Sequence, residues 1–152
     1  MNDPMTILKA DHREVKAMLQ ELADSKPGRS RTARVRELTQ ALSLHMEIEE
    51  ALVYPLVRSE EGAEVEEEAQ NEHVLARDGL TKAQEMVAEP GFGAVIAMLQ
   101  AGITHHVKEE ETEFFPATRK TDMDMEALGA KMAARKRELT AKLSTQPRRA
   151  LH

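Results

Sequence analysis

The sequence predicts an all-α protein, an antiparallel up-down-up-down four-helix bundle with an additional C-terminal helix. Three observations point there. Apolar residues recur every three or four positions in successive long segments, the period of a helix with one buried face. Short breaks rich in Pro and Gly separate those segments, so consecutive helices must fold back on one another. The apolar fraction of 41% includes nine Met and only 3% aromatics, with no Trp, which suits helices packed on Leu, Ala, Val and Met better than sheets.

Asp3-Pro4 reads as an N-cap followed by Pro in the first turn. Ile7, Leu8, His12, Val15, Leu19 and Leu22 then share one stripe, which ends at Lys26-Pro27-Gly28. A second helix from about Ser30 aligns Val35, Leu38, Leu42, His45, Glu49 and Leu52; Pro55 is expected to kink or end it. A break at 59–62 leads to a third helix with Val65, Ala69, His73, Ala76 and Leu80, running to about Ala88 before Glu89-Pro90-Gly91. The fourth carries Val95, Leu99, Ile103, His106 and Glu110, with Pro116 near its end. Thr121-Asp122 is expected to cap a last helix from Met123 to about Leu143, packed on the bundle outside the site. Residues 146–152 read as a flexible tail.

At 152 residues one domain accommodates the whole pattern. The absence of cysteine excludes disulfides, thiolate-bound zinc, iron–sulfur clusters and a Cys nucleophile. A net charge of −6 argues against nucleic acid as a partner. No apolar run is long enough for a membrane span, and Met1-Asn2-Asp3-Pro4 lacks a basic leader start. The expectation is a soluble cytoplasmic protein, monomeric or weakly homo-oligomeric. The acidic run 60–72 and the basic run 131–149 read as solvated faces.

One stretch occurs twice. His45-Met46-Glu47-Ile48-Glu49-Glu50 leads to Tyr54-Pro55, and His106-Val107-Lys108-Glu109-Glu110-Glu111 leads to Phe115-Pro116, at an offset of 61 residues. The same offset carries His12 onto His73, and the acid before each, Asp11, onto Glu72. A step of four residues places His45 and Glu49, and likewise His106 and Glu110, on one helical face. Four imidazoles and two carboxylates, with no thiolate, suit iron, manganese or zinc. One His-x-x-x-Glu is commonly a surface pair. Two such pairs and two lone histidines obeying one offset, each pair flanked by apolar residues, are better satisfied by shared metal, because partly buried ionisable groups need partners. The candidate ligands are therefore His12, His45, Glu49, His73, His106 and Glu110, with no catalytic residue beyond them. Tyr54 is a further candidate should the helix distort near Pro55; on a regular helix it turns away from Glu49 and packs as an aromatic. The residues three before the four histidines are Lys9, Leu42, Gln70 and Ile103, so the Glu-x-x-His of ferritin-like di-iron bundles is absent.

These residues resemble the hemerythrin-like, or HHE cation-binding, family: a lone His, then His-x-x-x-Glu-Glu with an aromatic-Pro end, then both again, over Met5 to about Lys120. The resemblance implies a hemerythrin-like di-metal domain over residues 1–120, with 121–145 as the added helix. It implies two Fe ions joined by an oxo or hydroxo bridge, with Zn or Mn as substitutes. His12 and His45 would terminate one iron, His73 and His106 the other, and Glu49 and Glu110 would bridge them, while Glu50 and Glu111 make outer contacts. Oxygen-carrying relatives have a fifth histidine where this chain has Arg77, and guanidinium does not ligate. That substitution opens one position on each iron and favours reaction with a small ligand (O2, H2O2 or NO). Hydrogen peroxide decomposition is the first expectation; reversible O2 or NO binding, or iron storage or sensing, is the alternative. His105, which aligns with Leu44, is expected outside the ligand set, and His152 lies in the tail.

Overall fold

The computed structural model describes residues 3–145, and no β-strand occurs among them. In chain order it has α1 (Pro4–Ala23), α2 (Arg29–Ile48), a π-helical turn (Glu49–Val53), α3 (Tyr54–Glu61), α4 (Ala63–Glu85), α5 (Phe92–Glu109), a second π-helical turn (Glu110–Phe114), α6 (Phe115–Arg119) and α7 (Met125–Thr145). Each α-π-α run is one interrupted rod, so four rods form the bundle. α1 lies beside α2 and α5, and α4 touches the same two, which arranges them as a square. α7 packs outside on α1 and α2. Residues 146–152, read above as a flexible tail and containing His152, lie outside the described residues.

Local chemistry sets the ends. The Asp3 carboxylate accepts from the Thr6 amide at 3.1 Å, and Pro4 sits in the first turn of α1. Arg119 also binds Asp3, at 2.8 Å, which ties the end of α6 to the start of α1 and helps hold that carboxyl below its ordinary range. Gly62 separates α3 from α4 with φ +100, a conformation that side chains with a Cβ rarely adopt. α4 stops at Glu85, a few residues before the expected end, and Met86–Ala88 form a turn ahead of Pro90. α7 begins at Met125 rather than Met123. Its cap is Asp124, whose Oδ1 accepts from the Glu126 and Ala127 amides at 2.9 and 3.3 Å, whereas the Thr121 hydroxyl turns back to the Thr118 carbonyl at 2.7 Å.

Ahead of Pro55 and Pro116 the helical turn widens into a π turn. The Tyr54 amide donates to the Glu49 carbonyl, five residues back, and the Phe115 amide does the same to Glu110. Each proline, lacking an N–H, then occupies the first turn of the following helix, where none is needed.

Two apolar clusters fill the interior. One includes Val15, Leu42, Met46, Leu80, Leu99 and Ile103. The other includes Leu8, Ile48, Tyr54, Ala69, Phe114 and Phe115, with Met132 and Leu139 of α7. Along α1, His12 falls between Leu8 of the second cluster and Val15 of the first, and His73 falls likewise between Ala69 and Leu80. The histidines thus lie at the level where the two clusters meet.

Candidate metal centre

All six residues singled out by the repeat converge at that level, and all are buried: Glu49 and Glu110 are 0% exposed. They form two groups that share both carboxylates. His12 and His45 join Glu49 and Glu110 in the first; His73 and His106 join them in the second. Within each group the candidate ligand atoms lie within 4.8 Å of one another. His12 Nε2 is 2.9 Å from Glu110 Oε1, and His45 Nε2 is 3.2 Å from Glu49 Oε2. His73 Nε2 is 3.1 Å from Glu49 Oε1, and His106 Nε2 is 3.1 Å from Glu110 Oε2.

The four imidazoles are aimed from behind. Each turns Nδ1 to a carboxylate: His45 to Asp11 at 3.0 Å, His106 to Glu72 at 2.5 Å, His12 to Glu111 at 2.7 Å and His73 to Glu50 at 2.6 Å. An Nδ1–H donated to a carboxylate leaves Nε2 as the free lone pair pointing inward, the outer arrangement typical of metal-bound histidine. Asp11 and Glu72 serve the histidine of their own repeat, while Glu50 and Glu111 serve the lone histidine of the other. Lys136 of α7 completes one of these chains, its Nζ 2.7 Å from Asp11 Oδ1. Nothing in the repeat signals Lys136, because α7 lies outside it. The roles of Asp11 and Glu72 did leave a trace, the acid that precedes each lone histidine.

Tyr54 reaches the site. Its hydroxyl lies 2.9 Å from His73 Nε2, 3.2 Å from His106 Nε2 and 3.0 Å from Glu110 Oε2. The π turn brings it there. Five residues along a regular helix leave Tyr54 about 140° from Glu49, and absorbing one extra residue in the turn returns it by about 100° to the same face. Phe115, its repeat partner, is carried inward equally and stacks on His12 with centroids 5.8 Å apart and planes at 9°. Arg77 turns out to Glu50 at 2.9 Å. His105 is 68% exposed and stands 3.5 Å from Glu72 and Glu109, apart from the central groups.

The electrostatics demand positive charge. Six carboxylates face four imidazoles. Burial disfavours a charged His45, yet Glu49 and Asp11 outweigh it and push the imidazole up to about 10. His106, opposed by burial in the same way, is pushed up to about 12 by Glu110, Glu49 and Glu72. Glu49 is held well below the usual carboxylate range, where the neighbouring imidazoles overcome its burial. Burial and the two central carboxylates push the Tyr54 phenol far above its ordinary range. Protons alone leave the geometry incomplete: the buried His45 Nε2 and Glu49 Oε2 face each other at 3.2 Å without hydrogen-bond geometry. His73 Nε2 and His106 Nε2 meet at 3.2 Å. Inward-facing Nε2 atoms, a buried pair without hydrogen-bond geometry and six carboxylates around four imidazoles fit bound cations.

Fold and site together define the class, a helical-bundle metal-binding domain built around a buried His/Glu cluster. Residues 3–118 match the hemerythrin HHE cation binding domain, and the chain belongs to that family. It is similar to an uncharacterized hemerythrin-like protein of Schizosaccharomyces pombe, 29% identical over 122 residues that cover 78% of this chain. The match spans 60% of that relative's length. A crystal structure of a hemerythrin HHE cation binding domain-containing protein from Mycobacterium kansasii superposes with a TM-score of 0.83 at 28% identity, covering 99% of this chain and 98% of the other. Among the described residues, no helix is long and apolar enough to cross a membrane.

Proposed function

We propose that this chain is a non-haem di-iron protein that decomposes hydrogen peroxide to water and dioxygen. The observation that carries the reading is a pair of candidate ligand groups sharing Glu49 and Glu110, with one phenol hydroxyl beside the histidines of the second. His12 and His45 would hold one ion, and His73 and His106 the other. Glu49 and Glu110 would be shared by both ions, and Tyr54 would belong to the second. Two iron ions held there would supply the two-electron chemistry that peroxide decomposition requires; manganese could substitute, while zinc would fill the site without redox activity.

The protein's own part is positional. Asp11, Glu72, Glu50 and Glu111 fix the imidazoles, and the two apolar clusters keep bulk water from the carboxylates. A phenolate, as in haem catalases, is a hard anionic ligand that stabilises oxidised iron. That favours turnover over reversible O2 or NO carriage, which needs a durable reduced state.

Iron-loaded protein mixed with hydrogen peroxide is expected to evolve oxygen at an oxygen electrode, and Glu49→Ala or His106→Ala to abolish it. A wild-type protein that holds two irons and leaves peroxide untouched overturns the assignment.

A further inference from the structure

A cavity of ≈ 580 Å³ runs from the surface to the four imidazoles, all of which line it. Its inner end is buried, since His12, His45, His73 and His106 are 1–6% exposed. Its mouth carries Leu75 and Met98, 69% and 76% exposed. Between them the walls are apolar, with Leu42, Val95, Leu99 and Ile103 among them.

Hydrogen peroxide and dioxygen have two heavy atoms each and need at most about twice the 30 Å³ that a water takes, so the cavity exceeds either by roughly tenfold. It falls in the range of small-molecule sites, about 300–1,000 Å³ with apolar walls and a few convergent polar groups. The charges on its lining disfavour an ionic ligand. Asp78 and Lys82 lie one helical turn apart with opposite signs, and Glu72 is already bound to His106. A fitting occupant is neutral, with an apolar body along the walls and an oxygen-bearing head at the imidazoles.

We propose that this cavity is a substrate site for neutral, mainly apolar organic hydroperoxides, an inference that rests on the peroxide chemistry proposed above. The balanced reaction is ROOH + H2O2 → ROH + H2O + O2. The O–O bond of the organic peroxide breaks and its two oxygens leave as alcohol and water. Hydrogen peroxide supplies the two electrons and two protons and becomes dioxygen. The organic molecule thereby replaces the peroxide that is reduced in the simple reaction.

Cumene hydroperoxide is the probe, and its alcohol, 2-phenyl-2-propanol, the unreactive analogue. Zinc-loaded full-length protein is expected to bind the alcohol with shifts at the methyl groups of Met46 and Met98, both on the cavity. Gly102 also lines it, and a Cβ there meets nothing within 4 Å, so Gly102→Leu adds bulk to the cavity wall at a position outside the candidate ligand set. That variant is expected to weaken alcohol binding and to slow alcohol formation from cumene hydroperoxide by roughly tenfold, while hydrogen peroxide consumption falls by no more than about twofold. Hydrogen peroxide consumption without alcohol binding or formation overturns the organic substrate and leaves the simpler activity standing. Alcohol binding in a protein whose iron form consumes neither peroxide overturns the peroxide reading itself. A concentration-dependent dimer that buries Leu75 and Met98 and excludes the alcohol overturns the site in favour of self-association.

Discussion

His12 with His45, and His73 with His106, present matching sets of nitrogens to the same two carboxylates, yet their neighbours differ. Beside the first pair stands Phe115, stacked on His12; beside the second stands Tyr54, its hydroxyl within 3.2 Å of both imidazoles. Behind the first pair, Asp11 is gripped by Lys136 of α7 at 2.7 Å; behind the second, Glu72 has the exposed His105 at 3.5 Å. The same backbone device, a widened turn before a proline, serves both halves. The Tyr54 hydroxyl, the Lys136 ammonium, and the His105 and Arg77 side chains beside Glu72 and Glu50 make them unequal. Symmetry in this site belongs to the backbone and the candidate ligands, and chemical distinction to what is placed around them.

Breaking the shared part has the largest expected effect. Glu49→Ala removes an oxygen donor from both groups and is expected to empty the site, whereas His45→Ala or His73→Ala empties one half and leaves about one metal per chain. Elemental analysis of the purified variants separates the outcomes, and equal losses for Glu49→Ala and His45→Ala would contradict a shared carboxylate. Tyr54→Phe makes the halves alike. The iron-loaded variant is expected to lose the visible charge-transfer band of a phenolate ligand. The metal-free variant is expected to lose about 1–3 kcal/mol in denaturant unfolding, because buried groups around the hydroxyl forfeit a partner. An unchanged spectrum would leave Tyr54 outside the ligand set.

Lys136→Met tests the other asymmetry. Loss of the ammonium behind Asp11 is expected to weaken metal binding at the first half by about tenfold, the low end for outer partners of metal-bound histidine, with the second half unaffected. Competition with a chelator reads this as one weakened and one unchanged equivalent. Arg77→Ala bears on Glu50 through a half-exposed pair and is expected to cost less than about 1 kcal/mol, with metal content unchanged.

The offset of 61 residues was enough to pick out His12, His45, Glu49, His73, His106 and Glu110, because a repeated helical spacing is a property of sequence. The bundle followed from periodicity and from breakers such as Pro27-Gly28 and Pro90-Gly91. Tyr54 could only be left open. Whether its ring points in or out depends on a single extra residue in one turn, and Pro55 shows that the regular hydrogen bond is lost without showing how the helix absorbs the loss. The crossing of Glu50 to His73 and of Glu111 to His12 was hidden for the same reason, since partners on different rods are set by packing. Lys136 was out of reach because α7 has no counterpart to compare.

The crossed carboxylates carry a consequence for how such a chain can be assembled. A peptide comprising one repeat alone would hold a lone histidine with no anchor for its ring and an anchor with no ring to hold. Two identical copies would satisfy each other, so the minimal functional unit of this architecture is a pair. Fusing the pair into a single polypeptide releases its members from having to stay identical, and a tyrosine opposite a phenylalanine is a difference that only the fused form can keep.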